Sequence, residues 1–452
     1  MPAIITNAFR TYNADNFIKS LEADTASTGD GLGNKMYLMI GKADSWSGAS
    51  PGQYANASAS DTSIPTPIDT TVGPYIHHND MIAAKLINAT DVSHVVKRND
   101  WTSGVVYVEY SHLQDDQIDQ TFFVLTDQFN VYKCISNYGG AASTVKPTGQ
   151  SSSIIETSDN YRWKFMYEVQ QADVLKYVTT DWIPNKVLAS NDGTAQWTVQ
   201  QAAVDGALEH IDVTAGGTGY SNTNTGTAQA GASTTITLAT TASATDDLYN
   251  AQTVYISAGT GSGQIRTISD YVGSTKVATV SSAWTTTPDG TSVYEVMPAV
   301  TITTTEGSGA AARCSSIVGG VIKKIAMTAV GTGYRSGTAT LAGAGGSGCT
   351  LEPRIGPKGG HGKNAKTELG GAYVMLNVRL TGTEGGDFTV GDDFRKVILI
   401  ANPLVSGSAA TAATYSGAEM DDDSGEQIYV EYRAPINRAS DQTEDVKLVV
   451  EF

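Results

Sequence analysis

Three glycine-rich stretches are the first places where this sequence could do chemistry, because closely spaced glycines let backbone N–H groups cradle a phosphate. GTGSG (259–263) lies between two strand-like runs, and GAGGSG (343–348) matches the spacing G-x-G-x-x-G. That fingerprint works only when a helix follows, so that its N-terminus meets the pyrophosphate. Here CTLEPRIGP follows, and its prolines oppose a helix opening there. PKGGHGKN (357–364) carries Lys358, His361 and Lys363 but lacks the G-K-[ST] ending of a P-loop.

The other chemical candidates are equally incomplete. His77, His78 and Asp80 are neighbours in HHND, but a metal centre needs further ligands at a scaffolded spacing, and the other His residues are scattered. A polar loop with Asn79 or Asp80 capping a following helix explains the cluster. DDDSGE (421–426) lacks the spacing and the distal glutamate of a calcium loop. Cys134 lies in the strand-like VYKCISN, where a buried structural thiol is expected. A glycosidase carboxylate pair leaves no sequence spacing to find, because the fold sets it. The expectation is no catalytic residue, no cofactor and no metal.

Composition narrows the class. The chain has 452 residues, ample for several domains, with 40% hydrophobic residues and 47 glycines. Its net charge of −17 and the absence of a basic stripe argue against a nucleic-acid partner. Three cysteines, Cys134, Cys314 and Cys349, make no disulfide framework and suit a reducing cytosol. The first residues, MPAIITNAFR, show no signal pattern, and no apolar run approaches the length of a membrane span. Synthesis in the cytoplasm, without a membrane partner, is expected.

Periodicity supplies the elements that would position any site. Helices are expected over 13–22, with Asn13 or Asp15 as cap, over 80–88 (DMIAAKLIN), and over ADVLKYV (172–178). Strands are expected at MYLMIG (36–41), GVVYVEYS (104–111), TFFVLTD, NVYKCISN, YRWKFMYEV, YVEY and VKLVVEF. Two polar segments, 44–79 and the acidic 419–426, read as loops. Between 205 and 355 charge thins to 10 acidic and 7 basic residues while Gly and Thr rise. IDVTAGGTGY (211–220) and IAMTAVGTGY (325–334) repeat within that interval, each a strand ending in a G-T-G-Y turn. They read as equivalent corners of one β-domain, split by a run of short strands at 234–297. The fold class is therefore β-rich α+β. A mixed α/β core (1–205 and 356–452) surrounds an inserted all-β domain (206–355), which carries a further small β module (234–297).

Three blocks, taken together, resemble a known family. They are 101–186, from WTSGVVYVEY to DWIPNK; 357–404, with PKGGHGKNAKTELGGAYVMLNVRL and DDFRKVILIANPL; and 425–452, ending YVEYRAPINRASDQTEDVKLVVEF. MYLMIGKADSW near the start fits as well. The pattern is similar to the baseplate wedge subunits of T-even-type contractile phage tails, the gene product 8 kind. The resemblance implies a non-enzymatic virion protein of the viral tail, with an α/β core and a β-rich domain. It also implies a homodimer that connects neighbouring baseplate wedge proteins. Residues 234–297 depart from the family and look like a small β module that recurs inside phage virion proteins. Two other classes stay open: a glycan-binding tail adhesin with that module as lectin, and a tail-associated polysaccharide depolymerase.

Overall fold

The computed structural model describes residues 5–22, 35–41, 81–111, 113, 117, 119–380, 390, 393–405, 408–409, 425–441, 443 and 445–452. The chain begins with α1 (Asn7–Glu22), β1 (Met36–Gly41), β2 (Met81–Leu86) and β3 (Val92–Lys97). Next come β4 (Phe123–Leu125), β5 (Asn130–Ser136), β6 (Ile155–Glu156), β7 (Arg162–Glu168), α2 (Gln171–Tyr177), β8 (Trp182–Pro184) and α3 (Ala195–Ala202). The middle holds β9 (Leu208–Thr218), β10 (Asn224–Thr227), β11 (Ala230–Ala232), β12 (Thr235–Thr237), β13 (Thr253–Ala258), β14 (Ile265–Val272), β15 (Val277–Val280) and β16 (Val293–Met297). Then follow β17 (Ala299–Thr303), β18 (Ser308–Val318), β19 (Val321–Thr332), β20 (Thr338–Ala342) and β21 (Ser347–Ile355). The chain closes with α4 (Ala365–Leu369), β22 (Tyr373–Arg379), β23 (Asp393–Ala401), the short β24 (Leu404–Val405) and β25 (Ser408–Ala409), β26 (Glu426–Asn437) and β27 (Asp445–Glu451). The protein is β-rich α+β; among the described residues 46% are strand and 11% helix.

Contacts divide the chain into a unit of residues 1–98, 169–187 and 365–452, and a unit of residues 99–168 and 188–364. Composition alone places the boundary at 205 and 356. The difference arises because 99–168 pack with the β-domain that follows them.

In the first unit two four-stranded antiparallel sheets, β2-β1-β23-β26 and β27-β22-β3-β8, share one core. Leu38, Ile40, Val397 and Leu399 come from one sheet, Val374, Leu376 and Leu448 from the other, and Ala14 and Leu21 from α1. Phe17 of α1 packs on Phe452, ring centroids 5.1 Å apart, and Arg10 Nε donates to the Phe452 carbonyl at 2.7 Å. Helix α1 starts at Asn7, six residues before the expected start, and Asp15 is no cap: it accepts from Lys366 and pairs with His94. The expected helix over 80–88 is instead β2, pairing antiparallel with β1 from Leu86 opposite Tyr37. Fully buried β1 needs a partner on each side, and that demand overrides a short apolar run compatible with either state. Residues 44–80, including His77, His78, Asn79 and Asp80, and residues 419–424 lie outside the described residues. Among the described residues no helix is long and apolar enough to cross a membrane.

In the second unit the sheet β4-β5-β7-β6 buries Tyr132, Cys134, Trp163 and Phe165, and Val199 of α3 packs on it. Residues 104–111 form no ladder, contrary to expectation. Tyr107 turns into the core at 1% exposure, its hydroxyl accepts from Thr102 N at 2.7 Å, and Tyr110 N donates to Cys134 O. A buried aromatic ring and side-chain hydrogen bonds outweigh the alternation here.

The G-T-G-Y repeat proves to be part of a larger one. β9, G-T-G-Y, β17, G-S-G (307–309) and β18 form one copy; β19, G-T-G-Y, β20, G-S-G (346–348) and β21 form the other. The copies interlock with twofold pseudosymmetry. β9 pairs with β21 and β19 with β18 in the same register: Ser347 faces Thr218 as Ser308 faces Thr332, and Leu351 faces Val213 as Ala312 faces Met327. Both ladders shift at the same place, Thr350/Leu351 and Ala311/Ala312. β17 and β20 pair through Thr301 opposite Thr340, equivalent positions, so the pseudo-axis runs there. Gly217 and Gly331 have φ of +60° and +61°, and a Cβ on either would fall 2.4 Å from partner backbone, at Ser347 O and Ala310 N. Gly219 and Gly333 are left-handed too, at +80° and +77°, matching the expected turns.

Where the second copy has only Arg335–Gly337 between its tyrosine and β20, the first copy holds a seven-stranded antiparallel sheet, β10-β16-β13-β14-β15-β12-β11. This module has its own core, including Ile236, Leu238, Val254, Ile256, Tyr271, Trp284 and Tyr294. It starts at Asn224, earlier than the expected 234. Asn224 faces Val296, so the chain enters and leaves side by side.

Candidate functional site

A buried polar cluster lies in the second unit, where alternation along β9 puts His210 and Asp212 on one face. Arg162, the first residue of β7, reaches them at 8% exposure. Its Nη1 lies 2.5 Å from His210 Nδ1, its Nη2 donates to Ile325 O at 3.0 Å, and its Nε meets Glu156 Oε2 at 3.2 Å. A guanidinium only donates, so Nδ1 accepts and the ring proton sits on Nε2. Nε2–H then donates to Asp212 Oδ1. The other carboxylate oxygen, Oδ2, accepts from Arg354 Nε at 2.5 Å, and Arg354 Nη1 meets Glu352 Oε1 at 3.0 Å. Lys324 of β19 pairs with Glu156. Glu109 borders the same cavity of about 350 Å³, and its Oε1 accepts from Asn137 N at 2.8 Å.

Electrostatics follow from this packing. Burial, and then the charge of Asp212, raise the Glu109 carboxyl above its ordinary range. Burial pushes Asp212 the same way, but its hydrogen bonds with His210 and Arg354, together with the Arg354 charge, outweigh it and hold Asp212 low. Both ring nitrogens of His210 are engaged, one by a cation and one by a carboxylate. The ring therefore presents no lone pair to a substrate. Each cation has a carboxylate partner. Chemically the cluster is an ionic lock that ties β7 to β9, β19 and β21.

A second cluster, in the first unit, is built alike. His94, 3% exposed, places Nδ1 2.8 Å from Gly371 O and Nε2 2.8 Å from Asp15, which also takes Lys366 at 2.7 Å.

The residues singled out in the sequence fall elsewhere. GAGGSG leads from the end of β20 into the first residues of the strand β21, and GTGSG turns between β13 and β14. In PKGGHGKN, Gly359 N donates to Asp205 Oδ1 at 2.7 Å and Lys363 Nζ to Gln200 O at 3.2 Å, so these groups face protein oxygens. Cys134 is fully buried, and burial, followed by the charges of Glu109 and Asp212, holds its thiol well above the usual range. Among the described residues no group of His, Cys, Asp and Glu is arranged to hold a metal ion. Sequence reasoning did not single out Arg162, His210, Asp212 and Arg354. The one local signal was H-x-D inside a strand; the two arginines come from distant strands. No protein-family model matches the chain, and no curated protein matches it.

Proposed function

We propose that this chain is a structural subunit of a contractile phage tail baseplate, of the wedge kind, which joins neighbouring wedge proteins as a homodimer and catalyses no reaction. The observation that carries the non-catalytic part is the closure of the buried network. A histidine clamped between Arg162 and Asp212 stabilises a fold and is unsuited to shuttling a proton. Blocks 357–404 and 425–452 direct the reading to the baseplate, and they supply β22, β23, β26 and β27, the strands through which both sheets of the first unit are built. Buried ion pairs and satisfied turns suit a part that must keep its shape while the assembly around it moves.

Light scattering on the purified chain, alone and co-expressed with the baseplate proteins of its virus, tests the reading. A dimer that enters a larger stoichiometric complex supports it. A strict monomer that joins nothing and releases reducing sugar from host capsule contradicts it.

A further inference from the structure

A second cavity of the second unit, about 750 Å³, runs between the β6–β7 turn, α3 and the β18–β19 hairpin. It shares Tyr138, Asn160, Arg162 and Lys324 with the cavity of the ionic lock. Tyr138 is 40% exposed with φ of +54°, and Asn160 has φ of +66°, so both are left-handed. Asparagine enters that region readily, but a tyrosine there is uncommon and must be held by its surroundings. The residue before each supplies the hold. Asn137 donates its N–H to Glu109 Oε1 at 2.8 Å and its amide to Tyr107 O at 3.1 Å, and it accepts from Gly140 N at 2.8 Å. Asp159 Oδ2 accepts from Thr144 N at 2.8 Å and Val145 N at 2.9 Å.

Fixed turns therefore carry two side chains whose polar tips are unspent. Among the described residues neither the Tyr138 hydroxyl nor the Asn160 side-chain amide has a hydrogen-bond partner, and the hydroxyls of Ser153 and Ser316 in the same lining have none either. The charges around the cleft, by contrast, are engaged. Glu156 meets Arg162 and Lys324, Arg313 meets Glu295 at 2.7 Å, and Glu209 faces Lys164 at 3.7 Å. Val204, Met327 and Val330 add an apolar strip. A ligand suited to this lining is neutral, carries hydroxyls that both donate and accept, and offers a C–H face to an aromatic ring.

We propose that this cleft binds a short neutral oligosaccharide. The Tyr138 ring is the stacking platform, and Asn160, Ser153 and Ser316 reach sugar hydroxyls. The volume lies within the ordinary range of small-molecule sites. Because both turns are fixed before binding, little ordering entropy is lost. The site binds without cleaving, since both carboxylates of the lining face cations. The inference is independent of the assembly proposed above.

The test applies the labelled full chain to an array of neutral oligosaccharides, acidic oligosaccharides and extended peptides, and measures affinity for the strongest neutral probe by calorimetry. Wild type binds a neutral oligosaccharide with little dependence on salt. Glycine suits a left-handed backbone, so Tyr138→Gly removes the ring without adding strain and weakens binding at least about fivefold. Asn160→Gly weakens it about threefold or more. Phe129→Gly is the matched control: Phe129 is also left-handed, at +58°, and 36% exposed, but lies outside the cleft, so binding is unchanged. Circular dichroism checks that each variant is folded. No binding to neutral oligosaccharides, or binding that both Tyr138→Gly and Asn160→Gly retain, overturns the proposal. Salt-sensitive capture of acidic oligosaccharides alone, or of peptides alone, overturns it as well.

Discussion

Arg162 Nη1 lies 2.5 Å from His210 Nδ1, and this contact fixes the histidine's proton on Nε2, towards Asp212. A residue type commonly associated with proton transfer is thereby turned into a strut between strands. Arg162 belongs to β7 and His210 to β9, and the same guanidinium holds the Ile325 carbonyl of β19. One side chain therefore joins the aromatic sheet to both halves of the pseudosymmetric domain.

Arg162→Met is expected to destabilise the second unit by about 3–5 kcal/mol, because it leaves His210, Glu156 and the Ile325 carbonyl without their buried partner. Chemical denaturation monitored by Trp163 fluorescence measures this. A cost below about 1 kcal/mol would show the network to be as weak as a surface ion pair.

Glu109→Gln acts in the opposite direction. A carboxyl raised in the folded state favours folding below the ordinary glutamate range, and that contribution is lost as pH rises through the folded value. At neutral pH the charged form is a liability beside Asp212. The Gln variant keeps the acceptor for Asn137 N, so it melts higher than wild type at about pH 8, and the gain fades towards about pH 4. Asp212 has the reverse sign: its depressed value adds stability above the ordinary aspartate range, which is lost on acidification. A melting gain for Glu109→Gln that is independent of pH contradicts the assignment.

Gly217→Ala and Gly331→Ala are expected to cost at least about 1–3 kcal/mol each, and to cost alike, because both need a left-handed backbone and both press on the partner strand. Unequal costs, with one near zero, would break the equivalence of the two copies.

That equivalence shows what was legible in the sequence. G-T-G-Y advertised two turns because glycine spacing is local, and the strand ends followed. G-S-G and the interlocked register were hidden, because the copies pair with each other and a 70-residue-scale insertion splits the first. The same limit concealed the polar cluster: His210 and Asp212 are two residues apart, but Arg162 and Arg354 reach them only through β pairing. Segment 80–88 failed for another reason. Its apolar pattern fits a helix, and only burial of β1 decides that it becomes a strand.

The pseudosymmetry also predicts how to remove the module. Replacing residues 221–298 with Arg-Ser-Gly, the linker the second copy uses, should leave the melting midpoint of the rest within about 4 °C. The losses include the Arg313–Glu295 pair at 2.7 Å, the stacking of Arg313 on Tyr255, the packing of Met297 on the surrounding core and the hydrogen bonds of Ser221 N and Asn222 N to Ala344 O. Scanning calorimetry reads the outcome, and loss of a cooperative transition would show that the module is structurally required.

Quantitative mass spectrometry of purified tails from the source virus tests the central claim most directly. The account predicts that this chain is present in the baseplate fraction, at a fixed ratio to the other baseplate proteins, before and after contraction. Its absence from purified virions, or a copy number that varies freely between preparations, would contradict a structural baseplate role.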